Sequence, residues 1–260
     1  MSDVKTQIGQ IRQMAKQLRL TLISEDLEAM LHDADEAKMT NRETLMHLFS
    51  LELKRRRIHR TKMGIMSAHF PMQRTLDSFD FTVQPSVDPG RIRDLSQCDW
   101  VANGENVLLQ GPPGVGKTHL AIGLGRAAIE KGYSTLFMTA AQLITTLVKA
   151  KKAGWLEEKL IALNKPKLLI LDEFGYLPLH PDTAHLLFSL FNQRYEHRSI
   201  VITTNRPITD WGQILGDTTA ATAILDRFLH HSHTLTINGD SYRLLEKKRN
   251  SVLASMESPA

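Results

Sequence analysis

Gly111-Pro112-Pro113-Gly114-Val115-Gly116-Lys117-Thr118 decides the fold, because it satisfies G-x-x-x-x-G-K-[ST] at every fixed position. Upstream, Asn106-Val107-Leu108-Leu109-Gln110 reads as a short buried strand, and downstream His119-Leu120-Ala121-Ile122-Gly123-Leu124 opens a helix. A strand, a glycine-rich turn and a helix in that order converge backbone amides on an anion, and the helix dipole adds partial positive charge. In this pattern Gly111, Pro112, Pro113, Gly114, Val115 and Gly116 cradle a polyphosphate. Lys117 reaches the β- and γ-phosphates, and Thr118 holds Mg²⁺.

Two further strand ends fit the same chemistry. Lys167-Leu168-Leu169-Ile170-Leu171-Asp172-Glu173 is a continuous apolar run closed by two carboxylates. Asp172 is suited to bind Mg²⁺ through a water, and Glu173 to polarise the water that attacks the γ-phosphate. Ile200-Val201-Ile202-Thr203-Thr204-Asn205 is the next such run. If it lies between the strand before the glycine loop and the strand ending in Asp172, Asn205 reaches the attacking water or the γ-phosphate; otherwise it is a turn residue.

From residue 106 onward apolar strands alternate with helical patterns, which predicts an α/β fold with a mostly parallel sheet covered on both faces. Strands are expected at Val107–Gln110, Thr135–Met138, Leu168–Asp172, Ile200–Thr204 and Thr234–Ile237, giving a five-stranded P-loop core. Helices are expected at 118–131, 140–163 with a break near Gly154, 182–197 and 217–231. On the last of these, Ile224, Leu225 and Phe228 face inward and Arg227 outward. An outward arginine is either a surface ion-pair member or a group that completes a neighbouring subunit's active site. Tyr242-Arg243 follows the last strand, with Arg243 either a second phosphate sensor or a salt-bridge partner.

The first 65 residues read as a small all-helical domain. Val4, Ile8, Ile11, Ala15, Leu18 and Leu22 recur at helical spacing, and a second helix is expected after Ser24 as N-cap. Thr40-Asn41-Arg42-Glu43 has the form of a capping box, and Leu45, Leu48 and Phe49 continue the apolar stripe of a third helix. The far end of that helix carries Lys54, Arg55, Arg56, Arg57, Arg60 and Lys62, six basic residues in nine with no acid between them. Such a run is either a solvated face or a surface for nucleic acid phosphates, and its place outside the nucleotide module favours the second. Residues 66–100, punctuated by Pro71, Pro85, Pro89 and Gly90, read as a linker and lead-in. Within them Phe79-Asp80-Phe81 either lines an adenine pocket or plugs the underside of the sheet. The ATPase domain is expected to span 101–245, with 246–260 as a tail.

Composition sets the outer limits. The 260 residues are 42% hydrophobic and 23% charged, as in ordinary globular proteins, and no apolar run approaches the ~18 residues of a membrane span. The N-terminus lacks the layout of a secretion signal. Cys98 is the only cysteine, which excludes an internal disulfide and a cysteine-held zinc and points to the cytoplasm. A net charge of +4 permits a nucleic acid partner without requiring one.

The chain resembles the IstB-type transposition helper ATPases, relatives of the DnaC helicase loaders within the AAA+ class. The resemblance rests on Leu76–Phe81, Gly111–Ala121, Leu169–Tyr176, Thr203–Pro207, Ile224–His231 and Gly239–Arg243, in that order along the chain. It implies ATP and Mg²⁺ as ligands, ATP hydrolysis, assembly as a ring or spiral on duplex DNA largely regardless of sequence, and a partner transposase. It also implies that Arg227 is an arginine finger and Arg243 sensor 2. The helical insertion after the second strand would then face DNA, giving Lys149, Lys151 and Lys152 a phosphate-binding role. With about 20 residues after the last strand, no full C-terminal lid is expected. A DnaC-like helicase loader and a non-hydrolysing ATP-dependent DNA-binding regulator are the alternatives.

Overall fold

The computed structural model describes residues 2–175 and 181–242, and the chain divides into two compact units at Met63/Gly64. Arg243, the tail 246–260 and the question of a lid lie outside the described residues.

The first unit is built from α1 (Ser2–Gln17), α2 (Thr21–Glu36) and most of α3 (Asn41–Ser67). Its small core gathers Ala15, Ile23, Leu27, Met30 and Leu48. The expected capping box at the start of α3 is present: Thr40 N donates to Glu43 Oε2 at 2.7 Å, and Glu43 N donates to Thr40 Oγ1 at 3.4 Å. Two details differ from the sequence reading. Ser24 does not cap α2, because that helix starts earlier, at Thr21, and the Ser24 hydroxyl donates back to the Thr21 carbonyl at 2.9 Å. Glu52 of α3 takes over the capping, its carboxylate accepting from the amides of Thr21, Leu22 and Ile23 at 3.1, 2.8 and 3.3 Å. A carboxylate at a helix N-terminus satisfies orphan donors and complements the dipole. The second difference is that Ile11, Leu18, Leu45 and Phe49 are exposed, since a three-helix unit this small has too little interior for every apolar position.

The second unit is organised by a five-stranded, wholly parallel sheet in the order β2-β3-β4-β1-β5. Its strands are β1 (Asn106–Gln110), β2 (Thr135–Thr139), β3 (Leu168–Asp172), β4 (Ser199–Thr204) and β5 (Ser232–Thr236). β1, β3 and β4 are buried along nearly their whole length, which is why each reads as a strand with an apolar centre and no polar alternation. The intervening helices are α6 (Lys117–Glu130), α7 (Ala140–Ala153), α8 (Leu156–Asn164), α9 (Pro181–Arg194), α10 (Trp211–Ile214) and α11 (Thr218–His230). The break expected near Gly154 is the left-handed C-cap of α7, with φ 78°.

Residues 66–100 are more ordered than their prolines suggest. Asp88 caps α4 (Pro89–Ser96) by accepting from Gly90 N at 2.9 Å, with Pro89 in the first turn where its missing N–H costs nothing. A short α5 (Asp99–Asn103) follows, and Phe79, Val87, Ile92, Leu95 and Trp100 join the core beneath β1. Arg194, fully buried at the end of α9, has no carboxylate partner among the described residues and donates to the carbonyls of Leu163, Pro166, Lys167 and Ser199. Burial lowers its pKa to about 9. It fastens the α8–β3 connection to the start of β4.

Candidate nucleotide site

All five strands point the same way, so their carboxyl ends form one edge, where the chain leaves Gln110, Asp172 and Thr204. Ligands of open parallel sheets bind outside this edge. The glycine loop between β1 and α6 holds a conformation that side chains would block. Gly114 has φ 84°, and a Cβ there would lie 2.1 Å from Ser241 Oγ; Gly116 has φ 98°, and a Cβ would lie 2.6 Å from the Phe79 ring. Lys117 Nζ donates to the carbonyls of Gly111 and Pro112, both at 2.7 Å, which holds the ammonium against the loop.

Across from the loop, Asp172 is fixed from two sides. Thr118 Oγ1 donates to its carboxylate oxygens at 2.8 and 3.1 Å, and Thr203 Oγ1 donates to Oδ1 at 2.5 Å. The β3–β4 register pairs Leu171 with Ile202, so the next residues, Asp172 and Thr203, fall side by side. The same Thr203 hydroxyl accepts from the amide of Glu173 at 3.0 Å, and the Phe174 amide donates to the Thr203 carbonyl at 2.9 Å. Glu173 is thereby held at φ 57°, a left-handed conformation uncommon outside glycine and asparagine, with its side chain exposed at the strand edge. Asn205 is exposed directly after β4, and β4 lies between β1 and β3, the condition for it to face the same space.

An aromatic wall closes the base of the loop. Phe79, only 4% exposed, meets Phe81, His119 and Tyr242 edge-on at centroid distances of 4.9, 5.3 and 5.9 Å. Phe79 is therefore the plug of the two readings, and half-buried Phe81 forms the outer layer. Tyr242 N donates to the Gly114 carbonyl at 3.0 Å, and its hydroxyl donates to the Asp80 carbonyl, so the segment after β5 is stitched to the loop. Burial lowers the pKa of His119, opposed by its bond to the Thr75 carbonyl.

The other expected site residues stand elsewhere. Arg227 on α11 donates to Asn192 Oδ1 at 3.0 Å and to the Ala223 carbonyl at 3.2 Å, and stacks 4.8 Å above the Phe188 ring of α9. Ile224 and Phe228 of α11 are buried as expected, while Leu225 is half-buried. Lys149, Lys151 and Lys152 are exposed on the last turns of α7, beside exposed Trp155. In the basic run, Arg55 pairs with Glu25 at 2.7 Å and Arg56 with Glu52 at 2.9 Å. Lys54, Arg57, Arg60 and Lys62 are exposed and have no ion-pair partner among the described residues. The spacing of Lys54, Arg57 and Arg60 puts these three along one helix face.

The residues fit a magnesium-bound polyphosphate. The glycine loop is a cradle that a Cβ at Gly114 or Gly116 would fill, and Thr118 with Asp172 offers hard oxygen donors already side by side. The sheet order, loop and paired strand ends define a P-loop ATP-binding protein of the AAA+ class. Two solved structures carry the same architecture. The crystal structure of the DnaC helicase loader matches with TM-score 0.50 and 25% identity over 57% of this chain and 86% of that one. AMPPCP-bound DnaA from Aquifex aeolicus matches in fold with TM-score 0.55 and 18% identity over 70% of this chain and 56% of that one.

The chain belongs to the family of IstB-like ATP binding proteins, whose model matches residues 13–251. It is 44% identical over 246 residues to the insertion sequence IS21 putative ATP-binding protein of Pseudomonas aeruginosa, covering 95% of this chain and 93% of that protein. It is 43% identical over 238 residues to the insertion sequence IS5376 putative ATP-binding protein of Geobacillus stearothermophilus, covering 92% and 95%.

Thr203 is the site residue that sequence reasoning passes over. Its only signal there is a hydroxyl at the carboxyl end of the strand before Asn205, and its partner becomes visible with the strand register.

Proposed function

We propose that this protein hydrolyses ATP, assembles on duplex DNA through ATP-bridged contacts between copies, and recruits the transposase of its mobile element. The observation that carries the reading is the bracket formed by Thr118, Asp172 and Thr203, with Glu173 hung from the same hydroxyl. The insertion-sequence names of the two relatives support the transposition role.

In this reading the glycine-loop amides and Lys117 bind the β- and γ-phosphates, and Thr118 and Asp172 hold Mg²⁺. The cation supplies charge neutralisation on the phosphate oxygens when bound. Glu173 accepts the proton of the attacking water, Asn205 orients that water, and Thr203 keeps Glu173 in register with Asp172. Arg227 of one copy reads the γ-phosphate held by the next, a role that contributes on the order of 10³–10⁵ in rate in other phosphoryl-transfer enzymes. Arg243 is assigned as sensor 2. Lys149, Lys151 and Lys152, with the basic face of α3, supply phosphate contacts that are indifferent to sequence.

The likeness to a helicase loader supports a second reading, in which the same engine acts on single strands. Steady-state ATPase assays with duplex and single-stranded DNA, run beside affinity measurements, decide. Turnover stimulated by duplex supports the transposition helper. Preference for single strands transfers the protein to the loader reading, and absence of turnover leaves an ATP-dependent DNA-binding regulator.

A further inference from the structure

The opposite edge of the sheet holds a second constellation that the nucleotide chemistry does not use. Glu196 lies in the turn between α9 and β4, and His230 and His231 form the junction between α11 and β5. The three side chains are exposed, and one ligand atom from each falls within 4.8 Å of the others. His231 Nε2 is 3.6 Å from Glu196 Oε1, and the two imidazoles stand 4.0 Å apart by centroid. Tetrahedral zinc with nitrogen and oxygen ligands places those atoms about 3.3 Å apart, so small side-chain rotations close the geometry.

We infer that Glu196, His230 and His231 form a binding site for a divalent transition cation of the zinc type, separate from the magnesium site. Two imidazoles and one carboxylate are a borderline-soft set that favours zinc over magnesium, and exposure leaves the remaining positions to water. The Tyr195 hydroxyl lies 2.7 Å from His230 Nδ1; with the ion on Nε2, Nδ1 would carry the proton and donate to Tyr195, the outer partner that orients a ligating histidine.

The mounts are rigid. Buried Arg194 binds the Ser199 carbonyl at 2.8 Å and so fixes the turn that carries Glu196. Asn106 ties both turns together: its side chain donates to the Phe228 carbonyl at 2.9 Å and accepts from Ile200 N at 2.8 Å, while its amide donates to the His231 carbonyl at 2.8 Å. A site held on such mounts loses little freedom on binding. Its effect is to staple the ends of α9 and α11, the two helices that position Arg227 through Asn192 and Phe188.

The test uses the tag-free full-length chain, stripped of metal and kept in excess Mg²⁺. Zn²⁺ is titrated against a chromophoric chelator, Co²⁺ is followed by visible absorption, and thermal unfolding is read with and without Zn²⁺. The expected result is one zinc per chain, a tetrahedral cobalt spectrum and a zinc-dependent rise in Tm. Glu196→Gln and His231→Ala, whose exposed positions spare the fold, should abolish all three, and Tyr195→Phe should weaken binding about tenfold. ATP affinity serves as the control for folding in these variants. No stoichiometric zinc in the wild type, or zinc binding unchanged in Glu196→Gln and His231→Ala, overturns the assignment.

Discussion

Replacing Thr203 by valine removes one hydroxyl and keeps nearly the same shape in a strand where the side chain is 1% exposed. That hydroxyl gives a 2.5 Å hydrogen bond to Asp172 and receives one of 3.0 Å from the Glu173 amide. The first is charge-assisted and contributes about 1.5–3 kcal/mol; the second leaves a partly buried amide unsatisfied at about 1 kcal/mol. The variant should therefore lose roughly 2.5–4 kcal/mol, a large share of the ~5–15 kcal/mol by which domains are stable. Thr203→Ser restores the hydroxyl and should lose only about 1 kcal/mol, from the missing methyl. All three tryptophans, Trp100, Trp155 and Trp211, lie in the second unit, so their fluorescence in urea reports this unit alone. Turnover should fall at least tenfold in the valine variant, since about 1.4 kcal/mol of lost positioning at Glu173 suffices. An unfolding midpoint and kcat indistinguishable from wild type in Thr203→Val would refute the bracket.

Glu173→Gln should bind ATP with near-normal affinity, hydrolyse it very slowly and prolong the lifetime of assemblies on DNA; normal turnover removes Glu173 as the base. Replacing Lys54, Arg57 and Arg60 together with alanine should reduce the slope of log K against log salt by up to about 0.9 for each DNA phosphate no longer neutralised, whereas Arg55→Ala, already paired with Glu25, should change it less. An unchanged slope in the triple variant returns that face to solvent. Burial pushes the Glu52 carboxyl up, but the bonds from the Ile23, Leu22 and Thr21 amides and from Arg56 outweigh it and hold its pKa below the ordinary value of 4.5. A depressed folded-state pKa gives stability that is present above 4.5 and lost as pH falls through the lower value. Far-UV circular dichroism of the full chain should show the helices of the first unit loosening in that acid range, with Glu52→Gln weakened already at neutral pH and flatter in its pH response. A profile shared by variant and wild type would contradict the cap.

The sheet and the nucleotide loop are legible in the sequence because local signals and tertiary demands agree there. The runs at 106–110, 168–172 and 199–204 have apolar centres and are buried on both faces, as covered parallel strands are, and the loop pattern sits between a strand and a helix. What escapes the sequence depends on partners far along the chain. Glu52 caps a helix 30 residues earlier, which no local pattern announces, and Ser24 looks like the cap only because it is a residue type that often serves as one. Thr203 acquires its role from a register between two strands separated by α9. The Asp88-Pro89-Gly90 signal is a helix start, yet beside Pro71 and Pro85 it reads as punctuation. Leu45 and Phe49 follow helical spacing yet face solvent, because periodicity states that a face is apolar and not what covers it.

Sedimentation velocity of the full-length protein with a slowly hydrolysed ATP analogue, Mg²⁺ and long duplex DNA tests the central claim most directly. Nucleotide bridging two copies through Arg227 predicts a large, DNA-bound assembly in the wild type that dissolves into small species in Arg227→Ala. A wild-type protein that stays monomeric with all three components present would contradict the account.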